Sequence, residues 1–291
     1  MSNLIYDQIT ARVLDMMEEH GANWINPFSK NGISFMPQNI ESKKHYRGIN
    51  IMLLKWAGFS SSVWGTYRQW EQANCQVKKG SKGTKIIFWQ SLNKPDDEDK
   101  KSRMVLKQYT VFNADQVEGY VAPDEIERDP VETLAEIDAF FAKIPADVRH
   151  SAEGRAYYSP AQDFVHVPNV EIFEDTPTST ALECYYSTLS HELAHWTGHK
   201  TRLDRTGKKD LQAYAEEELV AELSAAFMCS ILGISSEPRP DHAHYLNSWM
   251  AILKDNKRAL FSAASAATKA VDYLQSFSSE KEDQESEKIA A

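Results

Sequence analysis

The chain has 291 residues, a formal net charge of −10 at pH 7 and a hydrophobic fraction of 42%. No apolar run is long enough for a transmembrane helix, and the three cysteines lack the paired spacing of a disulfide framework or a cysteine zinc site. This length suits two domains of ordinary size, and we expect a soluble, cytoplasmic protein without membrane contact.

The first predicted element is an amphipathic helix over residues 1–20, with Ile5, Ile9 and Val13 on one face. An irregular, proline-containing segment follows, and then a short helix that ends at Trp56. The T-x-x-Q pattern that begins at Thr66 is a capping box, which predicts another helix start. These elements predict a small α+β domain.

A basic turn, residues 78–85, with the sequence K-K-G-S-K-G-T-K, follows this helix. It contains no acidic residue, whereas a solvated surface usually mixes both charges, and the spacing of its glycines is not that of a P-loop. Its backbone N–H groups could contact phosphate oxygens. Residues 86–89 and 105–112, which flank the charged loop 95–101, are predicted to pair as antiparallel strands.

Cations and aromatic rings are interspersed in residues 41–90, where nine Lys and Arg stand against only Glu41 and Glu71. Single-stranded nucleic acid is bound by a positive groove along the phosphates and by rings on which unpaired bases stack. We therefore predict that residues 1–120 bind single-stranded DNA without sequence preference; the alternative is that most rings fill a hydrophobic core. The predicted DNA-binding residues are Tyr46, Arg47, Trp64, Tyr67, Arg68, Lys78, Lys79, Lys82 and Lys85.

The acidic segment 119–130 has two prolines and no periodicity, and it predicts a boundary between this domain and a second one, residues 131–277. The second domain is predicted to begin with a helix near residues 134–141. Three strands follow, around residues 148–150, 155–158 and 164–167, with the last two joined as a hairpin.

The motif His191-Glu192-Leu193-Ala194-His195 lies within an amphipathic helix that Gly198 ends. Two histidines four residues apart on a helix point the same way and can hold one Zn²⁺ ion, or another divalent metal. Glu192, between them, is the predicted general base of a peptide hydrolase. In hydrolases of this class, strands placed before the motif commonly form a sheet whose edge receives an extended peptide.

A catalytic zinc needs a third protein ligand. The histidine that one zinc peptidase family supplies is absent, because Thr201 occupies its position, so the ligand is expected from the following helix, residues 214–232. Glu218 is the predicted ligand, since small residues stand one and two turns above it, and Glu222 would then hydrogen-bond a metal-binding histidine. The exchanged roles remain open, as does the plain alternative that Glu216–Glu218 only solvate a helix start.

Two further helices are predicted over residues 241–258 and 259–277, and a charged tail, residues 278–291, is predicted to be disordered. Three residues near the zinc motif could stabilise a developing oxyanion, although each is more simply explained as a surface residue or a residue at the edge of the core. These are His199, His244 and Tyr245.

Several motifs, taken in order, resemble the ArdC-type antirestriction proteins of conjugative plasmids, whose N-terminal domain is shared with TraC-type primases. The resemblance rests on Y46-R-G-I-N, W64-G-T-Y-R-Q, V77-K-K-G-S-K-G, Y109-T-V-F-N, the HELAHWTGH motif, R202-L-D-R and E217-E-L-V-A-E-L. It implies single-stranded-DNA binding, protection of incoming DNA from restriction, transfer with that DNA into a recipient cell, and a zinc metallopeptidase-like second domain.

Two alternatives to a DNA-protecting protein with a peptidase domain remain open. In one, the protein is a metallopeptidase acting on a host polypeptide or a restriction enzyme, and its basic half recognises an acidic protein. In the other, the zinc is purely structural and only the DNA binding matters.

Overall fold

The computed structural model describes residues 2–21, 24, 36–91, 104–122, 130–205, 210–234 and 242–290. The helices are α1 (Ser2–His20), α2 (Ile49–Lys55), α3 (Tyr67–Gln72), α4 (Pro130–Ala142), α5 (Ala181–Thr197), α6 (Leu211–Leu232), α7 (His242–Asp255) and α8 (Ala259–Ala290). The strands are β1 (Gln38–Asn39), β2 (Val63–Gly65), β3 (Gln76–Val77), β4 (Thr84–Ser91), β5 (Met104–Asn113), β6 (Val117–Glu118), β7 (Asp147–Ser151), β8 (Tyr157–Ser159) and β9 (Phe164–Pro168). The predicted α+β class is confirmed.

The N-terminal half is organised around the antiparallel pair of β4 and β5, which the sequence predicts correctly. The four-stranded sheet has the order β1-β2-β5-β4, and β3 pairs separately with β6. The short strands β1, β2, β3 and β6 are not predicted, because two or three residues are too few to show a periodic pattern. The predicted capping box at Thr66 and Gln69 is present and starts α3. The predicted loop 95–101 lies outside the described residues.

The C-terminal half packs a three-stranded sheet against α5. Its central strand, β9, is buried along its whole length, pairs in parallel with β7 and forms the predicted hairpin with β8. Strand β8 is therefore an edge strand. Since β9 rests on α5, the sheet sets the position of the edge strand relative to the histidine motif.

Helices α5 and α6 form the centre of this half, with α8 packed against both. Almost all of α6 from Glu218 onward is buried, and small residues, among them Ala221, Ala225 and Ala226, allow its neighbours to approach closely. Gly233 ends α6 in the left-handed conformation, with φ at 70°, which a glycine adopts without steric cost. The close approach is what brings side chains of α6 to the histidines of α5.

The largest hydrophobic core is shared by the two halves, and two smaller clusters lie within the N-terminal half. Helix α1 packs against α7, and α2 packs against α8. Helix α1 is amphipathic, as predicted. Its apolar stripe is buried against the C-terminal helices, because an exposed apolar stripe is unfavourable in water. Thr10 of α1 also donates a hydrogen bond to the carbonyl of Lys257 at 3.1 Å.

Helix α8 continues through the predicted tail, so the helix end expected at residue 277 is wrong. The tail contains four Glu and two Lys, residue types that favour helices. Among the described helices, none is both apolar and long enough to cross a bilayer.

The side chain of Lys55 lies in the interface between the halves. The ammonium of Lys55, at the end of α2, donates to Ser230 Oγ of α6 at 2.6 Å, and Ser230 itself donates to the carbonyl of Ala226. Burial lowers the pKa of Lys55 to about 7, although the neighbouring Cys229 opposes the shift. Below pH 7 the buried ammonium of Lys55 is protonated in the folded protein, and its desolvation lowers the free energy of unfolding.

We expect Lys55→Met to stabilise the protein by about 2 kcal/mol at pH 7. The unfolded chain keeps the proton up to about pH 10.5 and the folded chain loses it near pH 7, so the unfolded state binds more protons in this window. Wild-type stability therefore rises with pH across it, and the advantage of the variant should shrink toward pH 10.5. Urea unfolding at several pH values measures the difference.

Lys254→Met is the matched control, because Lys254 is exposed and pairs only loosely with Glu18 at 3.8 Å. Its effect should be small and should not change between pH 7 and 10. A constant advantage of Lys55→Met over the same range would show that the lysine is not destabilising through its charge.

Candidate metal site and nucleic-acid surface

Helix α5 presents its motif side chains to the interior. His191 and Glu192 are 1% and 3% exposed, and the Nε2 atoms of His191 and His195 lie 3.0 Å apart. The helix starts at a capping box of Thr180 and Glu183, and the i, i+4 spacing then places both imidazoles on one face. The two rings converge on one point, as the motif predicts.

Glu218 of α6 faces the same point. Its carboxylate oxygens lie 3.5 Å from His191 Nε2 and 3.5 Å from His195 Nε2, and one donor atom from each of the three residues falls within 4.8 Å of the others. Ligand atoms bound tetrahedrally to a zinc ion are about 3.3 Å apart. The donor set and its spacing therefore fit a single divalent cation.

Glu222 lies on the other side of His191, with its carboxylate 3.0 Å from Nδ1. A carboxylate at this nitrogen holds the ring orientation and leaves Nε2 as the atom available to a metal. The distances favour Glu218 as the ligand and Glu222 as the residue that orients His191, in the order that the sequence predicts.

Glu217, which is not among the predicted site residues, has the corresponding place beside His195. Its carboxylate lies 3.5 Å from His195 Nδ1 and forms an ion pair with Arg205 at 2.9 Å. Arg205 also donates to the carbonyl of Ala194 at 2.6 Å and to Thr197 at 2.9 Å. The signal that could have found this pair is an arginine just after the end of α5, where a cation satisfies free carbonyls.

The electrostatics of the site favour a bound cation. Burial works against a charged imidazole, but the carboxylates of Glu217 and Glu218 outweigh it and raise the pKa of His195 to about 10. The pKa of Glu218 is lowered: its burial acts in the opposite direction, and the two histidines outweigh it. A cluster that binds a proton this firmly is chemically suited to a divalent ion in the same place.

A cleft of about 910 Å³ opens onto these residues. His191, Glu192 and Glu218 line it, together with residues of β8 and the segment before it and with Tyr214 and Tyr245. The two tyrosine hydroxyls are 3.2 Å apart. An opening of this size next to the cluster is typical of a catalytic rather than a closed structural metal site.

The three predicted oxyanion candidates have different outcomes. Tyr245 lines the cleft. His199 does not line it, and its Nδ1 is instead 2.8 Å from Thr201 Oγ1. The side chain of His244 lies outside the described residues. Tyr214, which was not predicted, stands in the cleft as a second hydroxyl donor.

The predicted lysine turn is exposed. Lys78, Lys79, Lys82 and Lys85 all have exposed side chains. The Ser81 amide donates to the carbonyl of Lys78 at 3.1 Å, and Gly80 has φ at 86°, which describes a type II turn that needs glycine there. At Gly83 a Cβ would come within 2.3 Å of the Thr110 side chain of β5, so this close approach of the backbone to β5 requires glycine. The turn is thus a fixed cationic loop.

The other predicted DNA contacts differ in exposure. Tyr67 and Arg68 are exposed, and Tyr46 is partly buried. Arg47 is exposed but forms a bidentate ion pair with Asp272 of α8. Trp64 is 2% exposed, so the prediction that it contacts DNA is wrong. Its ring packs with Leu54, Ile86 and Val111, because β2 needs a large apolar residue to fill the space beneath the sheet.

Two exposed rings on the sheet were not predicted as DNA contacts. Phe88 and Tyr109 are 59% and 42% exposed and meet edge to face at 6.3 Å, and Lys107 is paired with Phe88 across the strands. The register Ile86↔Tyr109 and Phe88↔Lys107 places these residues on one face. Burial along β4 does not alternate, since Ile86 and Ile87 are both buried and Phe88 and Trp89 are both exposed, so a period-2 pattern could not have separated these rings from buried ones.

Each half of the chain matches a known protein family. Residues 3–112 match the N-terminal domain of anti-restriction factor ArdC, and residues 135–266 match a zincin-like metallopeptidase domain. The Sinorhizobium fredii protein y4eC is 36% identical over 287 residues, which cover 93% of this chain and 91% of that protein. DNA primase TraC of Escherichia coli is 32% identical over 94% of this chain, which spans only 27% of the primase.

Two solved structures share the fold. The metal-free antirestriction protein ArdC from plasmid R388 is 38% identical, with a TM-score of 0.78 and coverage of 94% of this chain and 98% of that one. Its Mn(II)-bound form has a TM-score of 0.75 with coverage of 94% and 97%. Because the likeness extends over nearly the whole of both chains and includes both domains, this chain belongs to the ArdC family of antirestriction proteins, with a zincin-like metallopeptidase domain in its C-terminal half.

Proposed function

We propose that this protein binds single-stranded DNA through the exposed cations and rings of its N-terminal half and so protects incoming DNA from restriction in the cytoplasm. We further propose that its C-terminal domain is a divalent-metal peptidase, with zinc as the first candidate. The observation that carries the DNA part is the exposed, acid-free lysine turn. The metal part depends on the convergence of His191, His195 and Glu218.

Tyr67 lies next to the lysine turn. Its hydroxyl accepts a hydrogen bond from Gln76 at 2.8 Å, two residues before Lys78, and its ring lies 6.4 Å from the ring of Phe112, over which Gly83 crosses. A stacking ring beside a cationic loop is the combination that unpaired strands require. The likeness to a DNA primase over nearly the whole of this chain supports the same assignment.

In the metal site, His191, His195 and Glu218 would hold the ion, as the Mn(II)-bound relative supports for a divalent metal. When bound, a divalent ion would supply Lewis acidity toward a peptide carbonyl and toward water. Glu192 lines the same cleft, where its carboxylate can accept a proton. The edge of β8 offers backbone groups to an extended peptide, which favours a polypeptide substrate.

Two alternatives remain as outcomes of the tests below. The basic half could recognise an acidic protein, such as a host target or a restriction enzyme, and the metal could be purely structural. The open cleft beside the cluster speaks against a structural metal, because structural zinc sites are closed.

We expect His191→Ala and Glu218→Gln each to lower the affinity for Zn²⁺ and Mn²⁺ by more than about a hundredfold, because each removes a ligand. Glu222→Gln should cost roughly 10- to 100-fold, since it only loosens His191. Glu216→Gln is the control, because Glu216 bonds Gln212 and lies outside the cluster. Isothermal titration measures all four; equal losses for Glu222→Gln and His191→Ala would instead make Glu222 the third ligand.

Replacing Lys78, Lys79 and Lys82 by Ala should weaken oligonucleotide binding and reduce the slope of log K against log salt by about 2, because three phosphate contacts are lost. The control replaces Lys200, Lys254 and Lys257 by Ala, which changes the net charge equally at other exposed positions. Fluorescence anisotropy over a salt series gives both quantities. Salt-insensitive binding by the wild type would exclude the DNA proposal, and so would an acidic protein partner that single-stranded DNA cannot displace.

Conjugation into restricting and non-restricting recipients separates the two domains. Glu192→Gln should keep metal binding and lose peptide hydrolysis, and we expect most of its protection against restriction to persist, because DNA binding supplies it. The lysine-turn variant should lose protection, with Glu216→Gln as control. Loss of protection by Glu192→Gln with intact DNA binding would show that hydrolysis is required.

A further inference from the structure

A second cavity, of about 750 Å³, lies where the two halves meet. Tyr6 of α1 and Trp89 of β4 line it from the N-terminal half, and Arg258, Phe261 and Lys269, at and within the first part of α8, line it from the C-terminal half. None of the predictions from sequence fell on this place, because its parts are far apart in the chain. We call it the junction pocket.

The junction pocket is positively charged. Its lining includes Arg202, Arg205, Arg258 and Lys269 and, among the described residues, no carboxylate. Arg202 and Arg205 already pair with Asp163 and Glu217, so the available charge comes from Arg258 and Lys269, both exposed. The first turn of α8, with Phe261 and Ser262 in the lining, adds the positive end of a long helix. The pocket therefore favours an anion.

The same pocket offers aromatic surface. Trp89 is 45% exposed, and its ring lies 6.4 Å from the buried ring of Tyr6, which in turn contacts Phe261 edge to face at 4.6 Å. The guanidinium of Arg258 lies 5.2 Å from the centre of the Tyr6 ring. A rigid aromatic cluster with one exposed indole, next to two available cations, matches a ligand that has both a flat ring and a phosphate.

We propose that the junction pocket binds a nucleotide unit, with its base on Trp89 and its phosphate at Arg258 and Lys269. The inference deepens the proposed DNA binding and rests on it: the natural source of the nucleotide is single-stranded DNA that also contacts the lysine turn. Strand β4 begins at Thr84, within the last residues of that turn, and reaches the pocket at Trp89, about 13 Å from Lys85 along the strand. A free nucleotide has the same chemistry and is the other source to be tested.

The pocket is next to the metal site. Arg205 lines both cavities, and its ion pair with Glu217 lies between the junction pocket and His195. The two cavities are thus neighbours that share one arginine.

The test compares oligothymidylate binding by the full chain carrying either Arg258→Ala/Lys269→Ala or Trp89→Ala. We expect roughly tenfold weaker binding, with a shallower salt dependence, for the first variant. For the second we expect roughly five- to a hundredfold weaker binding, with the salt dependence unchanged. Lys254→Ala/Lys257→Ala is the matched control, because it removes the same charge just outside the pocket. Thermal denaturation confirms that each variant is folded, and ultraviolet cross-linking should attach the oligonucleotide at Trp89.

Equal affinities for the pocket variants and the control, together with loss of binding in the lysine-turn variant, would overturn the junction pocket and leave the proposed DNA function intact. If the wild type binds no oligonucleotide, the proposed DNA function fails. The pocket then survives only as a site for a free nucleotide, shown by binding of thymidine monophosphate that Arg258→Ala/Lys269→Ala abolishes. If the wild type binds neither oligothymidylate nor thymidine monophosphate, both the proposed DNA function and the junction pocket are rejected.

Discussion

The structure of the metal site depends on one buried contact, in which the Glu218 carboxylate of α6 meets the two imidazoles of α5. Two carboxylates, Glu218 and Glu222, are each only 5% exposed, and an unpaired buried carboxylate is very costly. Both are tolerated because each faces an imidazole nitrogen, and His195 is held in turn by Glu217 and Arg205. The site is therefore a connected polar network, in which every partner helps to compensate the burial of the others.

The shared core extends this constraint to the N-terminal half. Helix α6 contributes Glu218 near its beginning and Ser230 near its end, where Lys55 of α2 reaches it. The backbone amide of Gly48 donates to Thr268 of α8 at 3.0 Å, so the segment that carries Tyr46 and Arg47 is attached to the helix that packs against α5 and α6. A movement of one half relative to the other would have to disturb the same packed helices. We infer that the segment with Tyr46 and Arg47 and the cleft keep a fixed spatial relation.

Local patterns were enough to predict the main features of the fold and the converging groups of the site. The spacing of His191 and His195 and the small residues near Glu218 are periodic signals that act within one element. What could not be predicted depends on contacts between distant segments. Tryptophan is a residue type that stacks on bases, but the buried position of Trp64 follows from the pairing between β2 and β5. Likewise, Glu217 acquires its role only through Arg205, and the common core arises because the stripe of α1 is covered by helices more than two hundred residues away.

The two cavities differ in the charges of their linings. Glu192, Glu217 and Glu218 line the metal cleft together with Asp210, against two arginines, Arg155 and Arg205, so the cleft is less favourable to phosphates than a lining without carboxylates. On the other side of Arg205 the lining of the junction pocket is cationic. Under the proposed function, a polyanion and a polypeptide would occupy different sides of Arg205, which pairs with Glu217. This separation would allow an acidic chain to bind nucleic acid as proposed, because the carboxylates of the cleft and the available cations of the junction pocket line different cavities.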